Sequence, residues 1–199
     1  MIASIESPST LSLKEFLELP ETKPASEYID GKIYQKPMPQ GKHSSLQTRL
    51  PAVINQVGEP QQLASAFTEL RVTFGKRSIV PDISVFEWAR IPLDANGEIE
   101  NKIEIPPDWV IEILSPEQTS TRVIEKIIFY LKNGTKQGWF IDPEERLIMV
   151  FTPNQLPTTM EGEDILPVLS VLGDWQLSVA DVFGLLNFRN RGTGILPVI

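Results

Sequence analysis

Apolar residues recur along this chain at two spacings, and the spacings divide it into helices and strands. A short helix is predicted over residues 13–19, capped by Thr10 or Ser12, with Phe16 and Leu17 turned inward. Residues 27–34 read as two short strands joined at Asp30-Gly31, a dipeptide that accepts the positive φ angles of a tight hairpin turn. Leu46, Leu50, Val53, Ile54 and Val57 then return at helical intervals, in a helix that opens near His43 and closes at Gly58. Pro51 lies inside it and is expected to kink or split it, because proline offers no amide hydrogen. Strand-like runs follow at 62–65, 69–74 and 79–86. The polar stretch 90–107, with Asp94-Ala95-Asn96-Gly97, reads as a long loop or lid. Residues 109–114 form a dense apolar strand ended by Ser115-Pro116. A helix capped within 119–121 runs to Lys132 and stops at Asn133-Gly134. Residues 138–141 and 147–151 read as a hairpin, and 179–186 as a last short helix.

Strands and helices thus intermix, and the strand–helix–strand unit at 109–141 predicts an α/β fold, an α+β mixed sheet flanked by helices. No repeat is visible. The expected organisation is an N-terminal extension at 1–11, one domain over 12–186 and a loosely ordered tail at 187–199. The chain has no cysteine, which removes disulfides, thiolate metal sites and cysteine nucleophiles. No apolar run approaches a membrane span and no secretory signal is visible, so the cytoplasm is the expected location. The formal net charge of −8 counts against a protein that coats phosphates with a basic surface. Any nucleic-acid contact would have to be local or metal-assisted.

Candidate chemistry lies in the carboxylates. In Pro81-Asp82-Ile83-Ser84-Val85-Phe86, alternation puts Asp82, Ser84 and Phe86 on one face and Ile83 and Val85 on the other. In the next strand Val110, Glu112 and Leu114 share a face, while Trp109, Ile111 and Ile113 share the opposite one. Glu112 is then a lone charge in a strand apolar on both sides. Such a group needs a partner or a metal, since burying it unpaired costs several kcal/mol. Two carboxylates on neighbouring strands are hard oxygen ligands suited to Mg²⁺ or Mn²⁺. A structural ion pair of Glu112 with an arginine or lysine is the alternative. In the following helix, Val123, Ile124, Ile127, Ile128 and Leu131 make the apolar stripe. Arg122, Lys126 and Tyr130 line its flank, where Lys126 could reach the carboxylates or simply belong to a solvated face. With one histidine and no Gly-x-Ser-x-Gly, a nucleophilic triad or zinc site is improbable.

Pro81-Asp82, Glu112-Ile113-Leu114-Ser115-Pro116, Lys126 with Tyr130, and Gly138-Trp139-Phe140-Ile141-Asp142-Pro143 together resemble the Uma-two family of putative restriction endonucleases, within the PD-(D/E)XK superfamily. Glu27 with Asp30-Gly31 and the helix opening at His43 extend the resemblance over about residues 12–185. It implies a restriction-endonuclease-like core and a Mg²⁺- or Mn²⁺-dependent endonuclease acting on nucleic acid, DNA above all, with a homodimer among the expectations. Asp82 and Glu112 would hold the metal, with Glu27 as a third carboxylate. The superfamily's lysine, two residues after the second acid, is here Leu114, and Lys126 is its displaced candidate. Arg122 and His43 would contact phosphate, although His43 on its own reads as a surface residue at a helix start and Glu27 as an exposed hairpin residue. A catalytically silent binding module on the same fold is the competing function.

Overall fold

The computed structural model describes residues 11–116 and 118–189. The tail beyond Arg189 and the first ten residues lie outside it. The first helix, α1 (Leu13–Leu17), is held by a reciprocal cap in which Ser12 and Glu15 each bond the other's backbone amide. Phe16 is buried as expected, but Leu17 is 49% exposed because the helix is too short to turn both inward. Strands β1 (Ser26–Ile29) and β2 (Lys32–Gln35) pair antiparallel around Asp30 and Gly31, whose φ angles of 51° and 85° are those of the predicted turn. Helix α2 (Gly41–Gly58) runs unbroken through Pro51. The buried Leu46, Leu50 and Ile54 grip the core on both sides of the proline and hold the two halves in line.

The segment predicted as two strands over 69–86 divides further. β3 (Ala64–Thr68) precedes it, and β4 (Val72–Phe74) turns at Gly75 and Lys76 into β5 (Arg77–Ile79). Val80 and Pro81 then break the chain before β6 (Ile83–Glu87). β7 (Trp109–Ile113), α3 (Ser120–Lys132) and β8 (Gln137–Asp142) form the expected strand–helix–strand unit, with β7 and β8 parallel. β9 (Leu147–Phe151) returns as the predicted hairpin partner. β10 (Thr158–Glu161), missing from the sequence reading, adds an edge strand whose side chains are mostly exposed and so carry no apolar alternation. α4 (Val179–Gly184) closes the described chain behind a Ser178–Asp181 cap.

One sheet has the order β10-β9-β8-β7-β6-β3 and a smaller one β2-β1-β5-β4. The larger sheet is covered on both faces, in the alternation the sequence predicts. Ile83, Val85, Trp109, Ile111, Ile113 and Trp139 join α2 and α4 in one core. Phe86, Val110 and Phe140 pack with α3 in the other. α3 is rotated relative to its apolar stripe: Val123, Lys126, Ile127 and Tyr130 are buried, while Ile128 is 38% exposed. The rotation brings Lys126 inward. It is fixed by close packing at Gly138, where a Cβ atom would lie 2.4 Å from the Ile127 methyl. The open edge at β3 is closed by Asn55 of α2, whose side chain bonds the amide of Ala66 at 2.6 Å and its carbonyl at 3.0 Å.

Residues 91–107 form an irregular excursion, anchored where it returns to the sheet. Asp108 there is fully buried, accepts from the Glu87 amide at 2.9 Å and pairs with Arg90 and with Lys136.

Candidate active site

Sheet order makes β6 and β7 neighbours, so Asp82, just before β6, and Glu112, the last residue but one of β7, come together in the interior. Both are 2% exposed. Asp82 is held firmly: Oδ2 accepts from the Ile113 amide at 2.8 Å, and Oδ1 lies 2.7 Å from Lys36 Nζ. His43 Nε2 stands 3.2 Å from Oδ2. Glu112 is held differently. Lys126 Nζ lies 2.9 Å from its Oε1, but the approach is not aligned for a hydrogen bond and that buried oxygen has no hydrogen-bond partner. Lys126 directs its hydrogen bond instead to Glu27 Oε1 at 2.8 Å, an oxygen that also accepts from the Val80 amide at 2.8 Å.

The energetics follow from this arrangement. Burial tends to raise the pKa of Asp82, but Lys36 and His43 beside it more than offset that and hold its carboxyl well below the usual range. Glu112 is pushed up, to about 8, because burial and the negative Asp82 outweigh the attraction of Lys126. Burial works against charge on Lys126 and Lys36 as well, yet the surrounding carboxylates keep both ammonium groups firmly protonated. Burial, followed by the negative charge of Glu112, raises Tyr130, whose hydroxyl is buried without a partner. Asp82 and Glu27 thus face two ammonium groups, while Glu112, beside them, holds its proton until the pH nears 8.

These residues fit a divalent cation. The acid donors are all oxygens, Glu112 presents an oxygen with no hydrogen-bond donor, and loss of the Glu112 proton would give the cluster the excess negative charge that a cation offsets. The triad expected to ligate is less compact than the sequence suggested. Among the described residues no three acid or histidine groups cluster in a metal-holding arrangement, and the Lys126 ammonium stands between Glu27 and Glu112.

Of the residues named from sequence, Asp82, Glu112, Lys126, Glu27 and His43 meet here. His43 is not a surface residue, and Glu27 is not an exposed one: they are 5% and 6% exposed. Arg122 stays outside, exposed, with its guanidinium 4.6 Å from the Tyr34 ring centroid. Lys36 was missed. It follows β2 directly, in Gln35-Lys36-Pro37, where a lysine reads as solvated; only the pairing of β1 with β5 turns it toward Asp82.

The family model Uma2, described as a putative restriction endonuclease, matches residues 13–180. The crystal structure of a putative nuclease belonging to DUF820 from Anabaena variabilis ATCC 29413 is 54% identical in sequence. It superposes with a TM-score of 0.86 over 88% of this chain and 99% of that one. The cryo-EM structure of the DrdV–DNA complex aligns at 15% identity and a TM-score of 0.36, over 72% of this chain and 11% of that one, a likeness too weak to argue from. No curated protein matches.

Proposed function

The chain belongs to the Uma2 family of putative restriction endonucleases, with the restriction-endonuclease-like fold; from that membership we propose that it hydrolyses phosphodiester bonds in nucleic acid, DNA above all, at Asp82, Glu112 and Lys126. The observation that carries the reading is Lys126 Nζ, buried and 2.9 Å from Glu112 Oε1. Position 114 offers leucine, and α3 returns a lysine to the same carboxylate from the other direction.

Asp82 and Glu112 would hold Mg²⁺ or Mn²⁺, with Glu27 nearby. Such an ion lowers the pKa of a coordinated water and offsets charge on the scissile phosphate. The chain's own groups supply the rest. Lys36 and the Ile113 amide keep Asp82 ionised and fixed in direction. Glu27 and the Val80 carbonyl place the Lys126 ammonium, at 2.8 and 3.5 Å, where it can hydrogen-bond an attacking water or the charge developing on phosphate oxygens. The apolar walls of β7 and α3 exclude bulk water, which strengthens each of these contacts.

A non-catalytic module is favoured by one observation, the lodging of Lys126 between Glu27 and Glu112, two of the carboxylates that would hold a metal. Plasmid nicking across Mg²⁺, Mn²⁺ and Ca²⁺ decides between the readings. Nicking with Mg²⁺ or Mn²⁺ that is lost in Asp82→Ala and Glu112→Gln is expected. Equal cutting by either variant would remove the assignment, and a wild type silent with every metal would favour the module.

A further inference from the structure

His43 belongs to the carboxylate cluster, yet the proposed hydrolysis gives it no task. It stands in the first turn of α2, which packs with α4 on one face of the larger sheet, whereas Lys126 comes from α3 on the other. Its ring meets Asp82 just before β6 begins.

The two ring nitrogens have unlike surroundings. Nε2 stands 3.2 Å from Asp82 Oδ2, while Nδ1 is buried with no hydrogen-bond partner among the described residues. A proton on Nδ1 would be a buried donor without an acceptor; a proton on Nε2 faces a carboxylate. The ring proton therefore belongs on Nε2. Oδ2 also accepts from the Ile113 amide at 2.8 Å. A carboxylate oxygen carries two lone pairs, and these two donors take both. Oδ1 faces Lys36, at 2.7 Å, and keeps a lone pair to offer. The two oxygens of Asp82 are thus unequal, and His43 is one of the two groups that make them so.

We propose that His43 is a positioning residue for Asp82: with the Ile113 amide it fills Oδ2, fixes the plane of the carboxylate and leaves Oδ1 as the oxygen offered to a divalent cation. The proposal rests on Asp82 being a metal ligand. It gives His43 a different task from contacting phosphate, for which a ring 5% exposed has little surface. It also differs from ligating the metal directly, since Nε2 is already turned to the carboxylate. Removing a group that orients a metal ligand typically lowers metal affinity about ten- to hundredfold.

Glutamine and asparagine separate these tasks. The amide nitrogen of glutamine falls about where Nε2 lies and that of asparagine near Nδ1, and neither supplies an imidazole lone pair. Mn²⁺ affinity of the full chain is read by titration calorimetry, with the Mn²⁺-induced rise in melting temperature in parallel. Binding of a labelled DNA duplex is read by anisotropy in EDTA, and plasmid nicking is followed across Mn²⁺ concentrations. Mn²⁺ affinity is expected to fall about tenfold or more in His43→Ala and His43→Asn, and to return to within about threefold of wild type in His43→Gln. Duplex binding in EDTA should not change, and nicking by His43→Ala should recover as Mn²⁺ is raised. Should the alanine variant fail to fold, the contrast between His43→Gln and His43→Asn carries the test. If the affinity pattern holds in a protein that nicks no DNA, the positioning role stands and the nuclease reading falls. Equal loss of Mn²⁺ affinity in His43→Gln and His43→Asn would make His43 a ligand. Duplex affinity lost in His43→Asn with Mn²⁺ binding intact would make it a phosphate contact. Either result, Mn²⁺ affinity intact in every variant, or a wild type that binds no Mn²⁺ overturns the proposal.

Discussion

Glu112 has left water for an apolar strand, and its one close cation, Lys126, is shared with Glu27. Its pKa is raised from an ordinary 4.5 to about 8, so between those values the folded chain keeps a proton that the unfolded chain has lost. Stability must then fall as pH rises through that window and level off above it. The Asp82 shift has the opposite sign, but it acts below that group's ordinary value of 3.8 and leaves the window clear. Melting in EDTA from pH 5 to 8 should therefore show the wild type losing ground steadily to Glu112→Gln. A constant difference between the two would mean that Glu112 is ionised throughout. Metal binding must displace the same proton, so the Mn²⁺-induced rise in melting temperature should grow with pH up to about 8, as metal affinity gains roughly tenfold per unit. Lys126 tests the pair from the other side. Lys126→Met leaves two buried carboxylates without their cation and should cost about 3–5 kcal/mol in urea unfolding. Adding Glu112→Gln to it should restore part of that loss, whereas simple additivity of the two changes would show that they do not interact.

Among the elements, α3 shows most clearly what a pattern can and cannot reveal. Its existence, and its place between two parallel strands, are legible from the apolar spacing and from the Asn133-Gly134 stop. Its rotation is not. The stripe containing Ile124 and Ile128 suggests one inward face, but the helix settles where Ile127 fits against Gly138, and Ile128 goes outward as Lys126 goes in. Local spacing cannot anticipate a contact made with a strand that comes later in the chain. Lys36 was hidden for the same reason: β1 pairs with β5 nearly fifty residues later, and nothing near Lys36 announces that. Asp82 and Glu112 were easier to see, because a charge in an apolar alternation stands out before any tertiary contact is known, whereas Glu27 entered only through the family resemblance. Gly138→Ala tests the packing directly. The added methyl must push Ile127 and α3 away, costing about 1–3 kcal/mol as overpacking does and withdrawing Lys126 from Glu112. Ile127→Leu moves the offending branch, so the double variant should recover both stability and metal-dependent cleavage relative to Gly138→Ala. If cleavage stays at the wild-type level in Gly138→Ala despite lower stability, Lys126 does not need this placement.

For the whole molecule, charge is the property that most constrains a nucleic-acid role. Lysine and arginine number 18 against 26 aspartate and glutamate. Many of the cations are already committed: Lys36 to Asp82, Lys126 to Glu27 and Glu112, Lys42 to Glu144, Arg71 to Glu21, Arg77 to Asp30 and Lys136 to Glu87. A duplex laid on such a surface displaces few counterions, because displacement is proportional to the phosphates that free cations neutralise. Affinity must then come from a small number of placed contacts around the carboxylate site. The dependence of duplex affinity on salt measures this. With two or three phosphates engaged, the slope of log K against log salt should be about −2 to −3, far shallower than the value near −10 of a protein that coats the backbone. The slope should be taken in EDTA first and again with Ca²⁺, since a bound divalent ion adds affinity at one phosphate without adding a surface cation. Binding should strengthen with Ca²⁺ while the slope changes by less than about one unit. A slope steeper than about −5 would mean that a basic surface carries the binding, and the account of an acidic protein gripping its substrate at a few fixed points would have to be abandoned.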